Sequence, residues 1–257
     1  MKLKGRVAVI TGSGSGIGRT AALEFAKEGA WVVAAEINEV AAQETIRQVT
    51  TMGGTGIAVP TDVSNPDFVR NLVQSTVNAY SEVHVLFNNA AIQINKTVED
   101  TTFEEWNRQI GINLGGVFLC SKYFLPYLRK TKGCIINMSS VNGFFGEPML
   151  AGYCATKGAI IALTKAMAMD YGKEGIRVNC ICPGCIDTGL ARSYWEAQSD
   201  PAAARVAAGE LHALGRIGTP EEVGRVAVFL ASHDASFITG AAVVVDGGVS
   251  SGLARQT

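Results

Sequence analysis

Val7-Ala8-Val9-Ile10-Thr11-Gly12-Ser13-Gly14-Ser15-Gly16-Ile17-Gly18 decides the fold, and the amphipathic run Ala21 to Gly29 follows it directly. Four consecutive apolar residues suit a strand covered on both faces, and the spacing after the glycines is that of a helix. Strand, glycine-rich turn and helix in this order form the dinucleotide-binding arrangement. Residues without side chains let the backbone approach a pyrophosphate, and the helix N-terminus offers it unpaired N–H groups and a partial positive charge.

Outward from that turn the pattern repeats. Short Val- and Ile-rich runs, each followed by a helical stretch, occur at Trp31 to Ala35, Gly56 to Val59, Val83 to Phe87, Cys134 to Met138, Arg177 to Cys182 and Ala242 to Asp246. With the first run they predict a Rossmann-type α/β fold, a doubly wound parallel seven-stranded sheet with helices on both faces. Two helix starts are written as capping chemistry, Ser64-Asn65-Pro66-Asp67 and Thr219-Pro220-Glu221-Glu222, with Ser64 and Thr219 as the expected caps. Residues 1–257 read as one domain. The Ala-rich stretch Gly189 to Gly218, which holds no strand, reads as an insertion that covers the substrate as a lid.

Composition narrows the function. The net charge is −1, so the chain has neither the basic excess of a nucleic-acid binder nor an acidic solvating balance. Hydrophobic residues at 47% against 18% charged can bury a large core. The basic residues before Arg6 precede too short an apolar run for a signal peptide, and there is no uninterrupted membrane-length segment, so a cytoplasmic location without membrane association is expected. Six cysteines in such a chain imply free thiols. Cys180, Cys182 and Cys185 cluster, but with no paired C-x-x-C and no nearby His they predict buried small side chains and no metal.

Two further features bear chemistry. Glu36 ends the second strand eighteen residues past Gly18, where an acid can accept hydrogen bonds from both hydroxyls of an adenosine ribose. A 2′-phosphate there would be repelled, and Ser15 and Ile37 offer no compensating charge, so NAD is expected over NADP. Tyr153-Cys154-Ala155-Thr156-Lys157 heads a helical stretch and puts a phenol and an ammonium on one helix face. An adjacent ammonium favours the phenolate, and the expected result is a phenol pKa lowered toward neutrality for acid/base work.

Together these motifs resemble the short-chain dehydrogenase/reductase family over nearly the whole chain. Thr11-Gly12-x-x-x-Gly16-x-Gly18 resembles its T-G-x-x-x-G-x-G turn and Tyr153-x-x-x-Lys157 its Y-x-x-x-K pair. Ser140, thirteen residues before the tyrosine, stands at the family's separation for the catalytic serine, and Asn113 matches the asparagine of its proton relay. Asp62-Val63 resembles the pair that meets the adenine, Asn88-Asn89-Ala90 the turn after the fourth strand, and Pro183-Gly184 with Ile186 and Thr188 the turn that covers the nicotinamide. Ala91 departs from the pattern, replacing the glycine that usually ends N-N-A-G. If that position needs a positive φ, the alanine strains it.

The resemblance implies an NAD-linked oxidoreductase acting between a secondary alcohol and a ketone. Tyr153 would be the general acid/base, Lys157 would lower its pKa and hold the nicotinamide ribose, Ser140 would hydrogen-bond the reacting oxygen, and Asn113 would order a water linking Lys157 to solvent. Gly12, Ser15, Gly16, Ile17, Gly18, Glu36, Asp62, Val63, Asn89 and Ala90 would serve the rest of the cofactor. The pocket would draw on Gln93, Asn142, Phe145, Cys185, Ile186, Leu190, Trp195 and Leu211, a mixture suited to a small, partly polar alcohol. The small-residue helix from Gly158 to Met169 suggests a face buried in a homotetramer or homodimer. Two other classes share some of these features. An NAD-sensing regulatory module would have no use for Ser140, Tyr153, Lys157 and Asn113 together. An epimerase or dehydratase of the extended branch is expected to carry a longer C-terminal substrate domain, and eleven residues follow Asp246.

Overall fold

Each of the seven apolar runs becomes a strand in a computed structural model that describes residues 1–252; residues 253–257, assigned above to the same domain, lie outside the described residues. The strands are β1 (Val7–Thr11), β2 (Trp31–Glu36), β3 (Thr55–Pro60), β4 (Val85–Asn88), β5 (Cys134–Met138), β6 (Arg177–Pro183) and β7 (Ala242–Val245). They form one parallel sheet in the order β3-β2-β1-β4-β5-β6-β7, with β1 paired to β2 through Val7 opposite Trp31 and to β4 through Val9 opposite Leu86. The order reverses between β1 and β4. In such sheets the crevice at the carboxyl ends beside the reversal receives ligands.

The helices are α1 (Gly16–Lys27), α2 (Glu39–Thr51), α3 (Pro66–Tyr80), α4 (Phe103–Ile110), α5 (Gly116–Thr131), α6 (Ala151–Tyr171), α7 (Gly189–Glu196), α8 (Pro201–Glu210) and α9 (Pro220–Ala231). Successive strand residues face opposite sides of the sheet, which explains why the runs are apolar throughout. Ala8, Ile10, Phe87 and Ile136 pack with Phe25 of α1 and Val223 and Ala227 of α9. Val7, Val9, Leu86 and Ile135 pack on the other face with Leu72 of α3 and with Phe124 and Leu128 of α5. No helix among the described residues is long and apolar enough to cross a membrane.

One of the two expected caps moves. Thr219 starts α9 as read, its N–H donating to the Glu222 carboxylate at 2.8 Å. At α3 the cap is Asn65, whose side chain accepts from the Asp67 N–H at 2.8 Å. Ser64 instead donates its hydroxyl to Asp62 at 2.7 Å. Asn and Ser are equally good caps, so spacing to the acid alone could not separate neighbours.

Candidate active site

The glycine turn is built from backbone pressed against backbone. Gly12 and Gly16 have φ of +63° and +49°, the left-handed region that side chains disfavour. A Cβ on Gly18 would lie 2.1 Å from the Gly12 carbonyl oxygen, and one on Gly12 would lie 2.7 Å from Ala90 Cα. The Asn-Asn-Ala turn after β4 supplies that neighbour. Asn89 donates its amide to the carbonyls of Thr11 and Gly12 at 3.0 and 3.1 Å, while the Thr11 hydroxyl accepts from the N–H groups of Asn89 and Ala90. Ala91 does not adopt a positive φ, so the missing glycine costs no backbone strain.

Ser15 is the N-cap of α1 and makes no side-chain capping bond, nor is there an acid in the first turn. The first N–H groups of α1 are thus left for an anion. Beside them Glu36 accepts from the N–H groups of Gly14 at 3.0 Å and Asn38 at 3.1 Å, which holds its carboxylate across the turn. Ile37 is exposed. A basic residue that the sequence reading did not weigh, Arg19, is tied into α2 through the Thr45 hydroxyl at 3.0 Å. Asp62 accepts from the N–H and hydroxyl of Ser64, and Val63 is buried beneath Gly116, where a Cβ would lie 2.7 Å from the valine. This donor set, a cradle with no room for a Cβ at Gly12, Gly14 or Gly18 and an acid beside it, fits a dinucleotide.

Asn113 does not lie in ordinary α-helix. It sits in a π-helical turn, Gly111–Gly115, between α4 and α5, a wide turn often found at functional sites. Its amide clamps Ile92 at two points, accepting from the N–H at 2.8 Å and donating to the carbonyl at 2.9 Å, and reaches Thr156 of α6 at 3.2 Å. Ser139 and Ser140 point different ways. Ser139 donates to the Lys157 carbonyl at 2.8 Å, whereas Ser140 donates to the Asn142 side-chain carbonyl at 3.0 Å and shares the cleft wall with Tyr153.

Tyr153 and Lys157 share a face of α6, with the ammonium 5.3 Å from the ring centroid. Lys157 is buried and donates to the Met138 carbonyl at 2.8 Å. The expected lowering of the phenol pKa does not hold here. Burial pushes Tyr153 well above its ordinary value and holds the phenol protonated, with the nearby Ser140 hydroxyl as the opposing influence. The same burial lowers Lys157 to about 8. Desolvation penalises the charged form of both groups and is the largest influence on each.

From Tyr153 a cleft of about 780 Å³ runs under the loop after β6. Of the expected residues it takes in Ile17, Gln93, Ser140, Asn142, Phe145, Pro183, Gly184, Cys185, Ile186, Thr188, Leu190, Trp195 and Leu211. The residues expected around the adenosine, together with Asn113 and Lys157, lie outside its lining. Thr188 stands opposite the glycine turn, 3.3 Å from where a Gly16 Cβ would be. Trp195 is buried and carries the Arg205 guanidinium 5.8 Å above its ring, so it is a wall of the cleft, while Leu190 and Leu211 are exposed at its mouth. Several lining residues stand outside the expected set, among them Tyr194, Ser250, His212 and Glu147. His212 is buried, its Nε2 accepting from the Cys185 N–H at 3.1 Å and its Nδ1 paired with the Ala208 carbonyl at 2.8 Å, so it ties the loop after β6 to α8. Glu147 brings a carboxylate into the lining. Neither stands in a motif, and only the fold brings them to the cleft.

The family model described as enoyl-(acyl carrier protein) reductase matches residues 12–250. The chain is 41% identical to meso-2,3-butanediol dehydrogenase of Serratia marcescens over 97% of this chain and 96% of that one. It is 39% identical to cyclohexanol dehydrogenase of an Acinetobacter strain over 97% of each. Among solved structures, 3-ketoacyl-(acyl-carrier-protein) reductase from Brucella melitensis, complexed with NADH, superimposes with a TM-score of 0.89 at 32% identity, covering 96% of this chain and 99% of that one.

Proposed function

Because the chain belongs to the short-chain dehydrogenase/reductase family, we propose that it interconverts a small secondary alcohol and its ketone with NAD(H), using Tyr153 as general acid/base. The observation that carries this reading is the wall shared by Ser140 and Tyr153 in a cleft that begins at Ile17 of the glycine turn. Gly12, Ser15, Gly16, Ile17 and Gly18 hold the pyrophosphate, Glu36 the adenosine ribose, and Asp62 and Val63 the adenine. Asn89 and Ala90 brace the turn, and Pro183, Gly184, Ile186 and Thr188 cover the nicotinamide. When bound, that ring supplies the hydride acceptor or donor.

The chain's own residues handle the proton. Tyr153 gives or takes it at the substrate oxygen, and Ser140 hydrogen-bonds the same oxygen. Lys157, anchored on Met138, keeps two donors for the nicotinamide ribose, and its lowered pKa of about 8 lets it exchange a proton near neutral pH. Asn113 holds Ile92 and α6 in register beside it and orders the water that links Lys157 to solvent. Gln93, Asn142, Phe145, Cys185, Leu190 and Trp195 shape the substrate site, and the 189–218 segment closes over it as a lid. Exposed Phe118 on α5 and Met169 on α6 suit an interface in a homotetramer or homodimer, and six unpaired cysteines suit a reducing cytoplasm.

The test is a panel of secondary alcohols and ketones followed by nicotinamide absorbance, with NAD and NADP in parallel. Turnover of small aliphatic or cyclic alcohols with NAD is the expected result. Binding of NAD with no turnover of any alcohol would instead support a sensing role.

A further inference from the structure

Glu147 lies in the segment between β5 and α6, which the backbone holds firmly. The N–H of Phe144 donates to the Val141 carbonyl at 2.8 Å, the N–H of Leu150 donates to the Glu147 carbonyl at 3.2 Å, and Leu150 bridges to Lys96. Met149 is forced to a φ of +66°, a conformation that a non-glycine residue keeps only when its surroundings impose it. The segment thus presents the Glu147 side chain to the cleft, where its neighbours Phe145, Pro148 and Leu150 are apolar.

Its contacts orient the groups that meet substrate. One carboxylate oxygen, Oε2, accepts from Asn142 Nδ2 at 2.7 Å, which turns the Asn142 carbonyl toward Ser140, whose hydroxyl donates to it at 3.0 Å. Among the described residues Glu147 meets no Lys or Arg and its Oε1 accepts no hydrogen bond. A carboxylate offers about four acceptor positions, so Glu147, exposed in the cleft lining, keeps most of its capacity for a ligand. The charge is close enough to the reacting centre to push both Tyr153 and the Cys185 thiol upward in pKa.

We propose that Glu147 selects alcohols bearing a second hydroxyl beside the reacting carbinol, accepting that hydroxyl's hydrogen bond and excluding substrates with a carboxylate at that place. The inference rests on the alcohol dehydrogenase reading above. It adds the substrate class, a vicinal diol and its hydroxyketone, which neither Tyr153 nor Ser140 can distinguish from a simple alcohol because both act on the reacting oxygen alone.

The test compares kcat/KM for 2,3-butanediol, 2-butanol, 3-amino-2-butanol and 2-hydroxybutyrate, with NAD, in the wild type, Glu147→Gln and Glu147→Leu. Hydrogen bonds to charged acceptors are among the stronger ones, and after discounting for the open mouth of the cleft their loss is worth about tenfold. Glu147→Leu is expected to lower the diol-to-2-butanol ratio by about that factor. Glu147→Gln, which keeps an acceptor and loses the charge, is expected to keep part of the diol preference and relieve the exclusion of 2-hydroxybutyrate. It should also move the ionisation limb of the pH–rate profile to lower pH, because a charge that opposes the phenolate is gone, a change that mere support of the loop would not produce. An unchanged ratio in Glu147→Leu, with both alcohols oxidised, overturns this inference and leaves the dehydrogenase reading standing. A wild-type preference for the amino alcohol over the diol by more than tenfold replaces the hydroxyl with an ammonium. No turnover of any of the four overturns both readings.

Discussion

On the β1–β3 side of the switch point, function rests on main chain packed so closely that a single methyl group has nowhere to go, as at Gly12 and Gly18. On the β5–β7 side it rests on side chains around an open cleft, where Gly189 has no atom within 4 Å of an added Cβ. The first construction tolerates almost no variation and suits a ligand part that does not vary. The second can change one side chain at a time and so change substrate without disturbing the sheet. The same contrast separates Gly18, braced by Asn89, from Glu147, placed by a loop.

The sharpest test of the cleft side is Tyr153→Phe, which removes the hydroxyl proposed to carry the proton and keeps the ring. Turnover should fall by roughly 10² to 10⁴, with NAD affinity nearly unchanged in a fluorescence titration. Near-normal turnover would mean that the proton travels through another group.

The contrast itself is broken or kept by paired alanines. Gly18→Ala should destabilise the fold by about 1–3 kcal/mol in urea titration and weaken NAD binding at least about tenfold, because the new methyl overlaps the Gly12 carbonyl. Gly189→Ala should lie within about 0.5 kcal/mol of the wild type. Equal effects at the two sites would remove the distinction.

Burial of Lys157 makes a pH statement. Its folded pKa of about 8 lies below the ordinary 10.5, so between these values the unfolded chain binds more protons and stability rises with pH. Below about 8 both states are protonated and the fold carries the full penalty. Lys157→Met lacks this dependence. The wild type should therefore gain stability relative to the variant between pH 7.5 and 9.5, measured as the difference in urea midpoints. A constant difference would show that the ammonium is not desolvated.

On the nucleotide side, Glu36→Ala with Ile37→Arg should move preference from NAD toward NADP by about tenfold, a fraction of the roughly 4 kcal/mol between unit charges 4 Å apart at an effective dielectric of 20. Comparable kcat/KM with NADP in the unmodified protein would remove Glu36 from this role. The smallest effect is expected in the 189–218 segment proposed as a lid. Hydrogen exchange between Gly189 and Gly218 should slow on adding NAD and substrate more than elsewhere, with buried Trp195 changing least. Protection in the free protein equal to that of the central strands would make the segment a fixed wall.

Much of this was legible in the residues because the glycine turn, Tyr153 and Lys157 depend on local spacing. The seven strands were readable too, though β4 starts at Val85, two residues later than the apolar run, and β7 stops at Val245, where Asp246 turns its side chain to the N–H groups of Gly248 and Ser250. The cap at α3 was read one residue early. The π-helical turn at Asn113 was invisible, since Gly111 to Gly115 has no spacing that distinguishes it from α-helix.

By itself the sequence determined the parallel sheet, the phosphate turn and the face shared by Tyr153 and Lys157, because each follows from periodicity or from what a glycine permits within one element. Only the tertiary structure decided that the phenol stays protonated, that His212 ties α8 to the loop after β6, and that Glu147 reaches the cleft. Those properties depend on burial and on neighbours brought from distant segments, such as Cys185 against His212, and no local pattern encodes a desolvation or a contact between them.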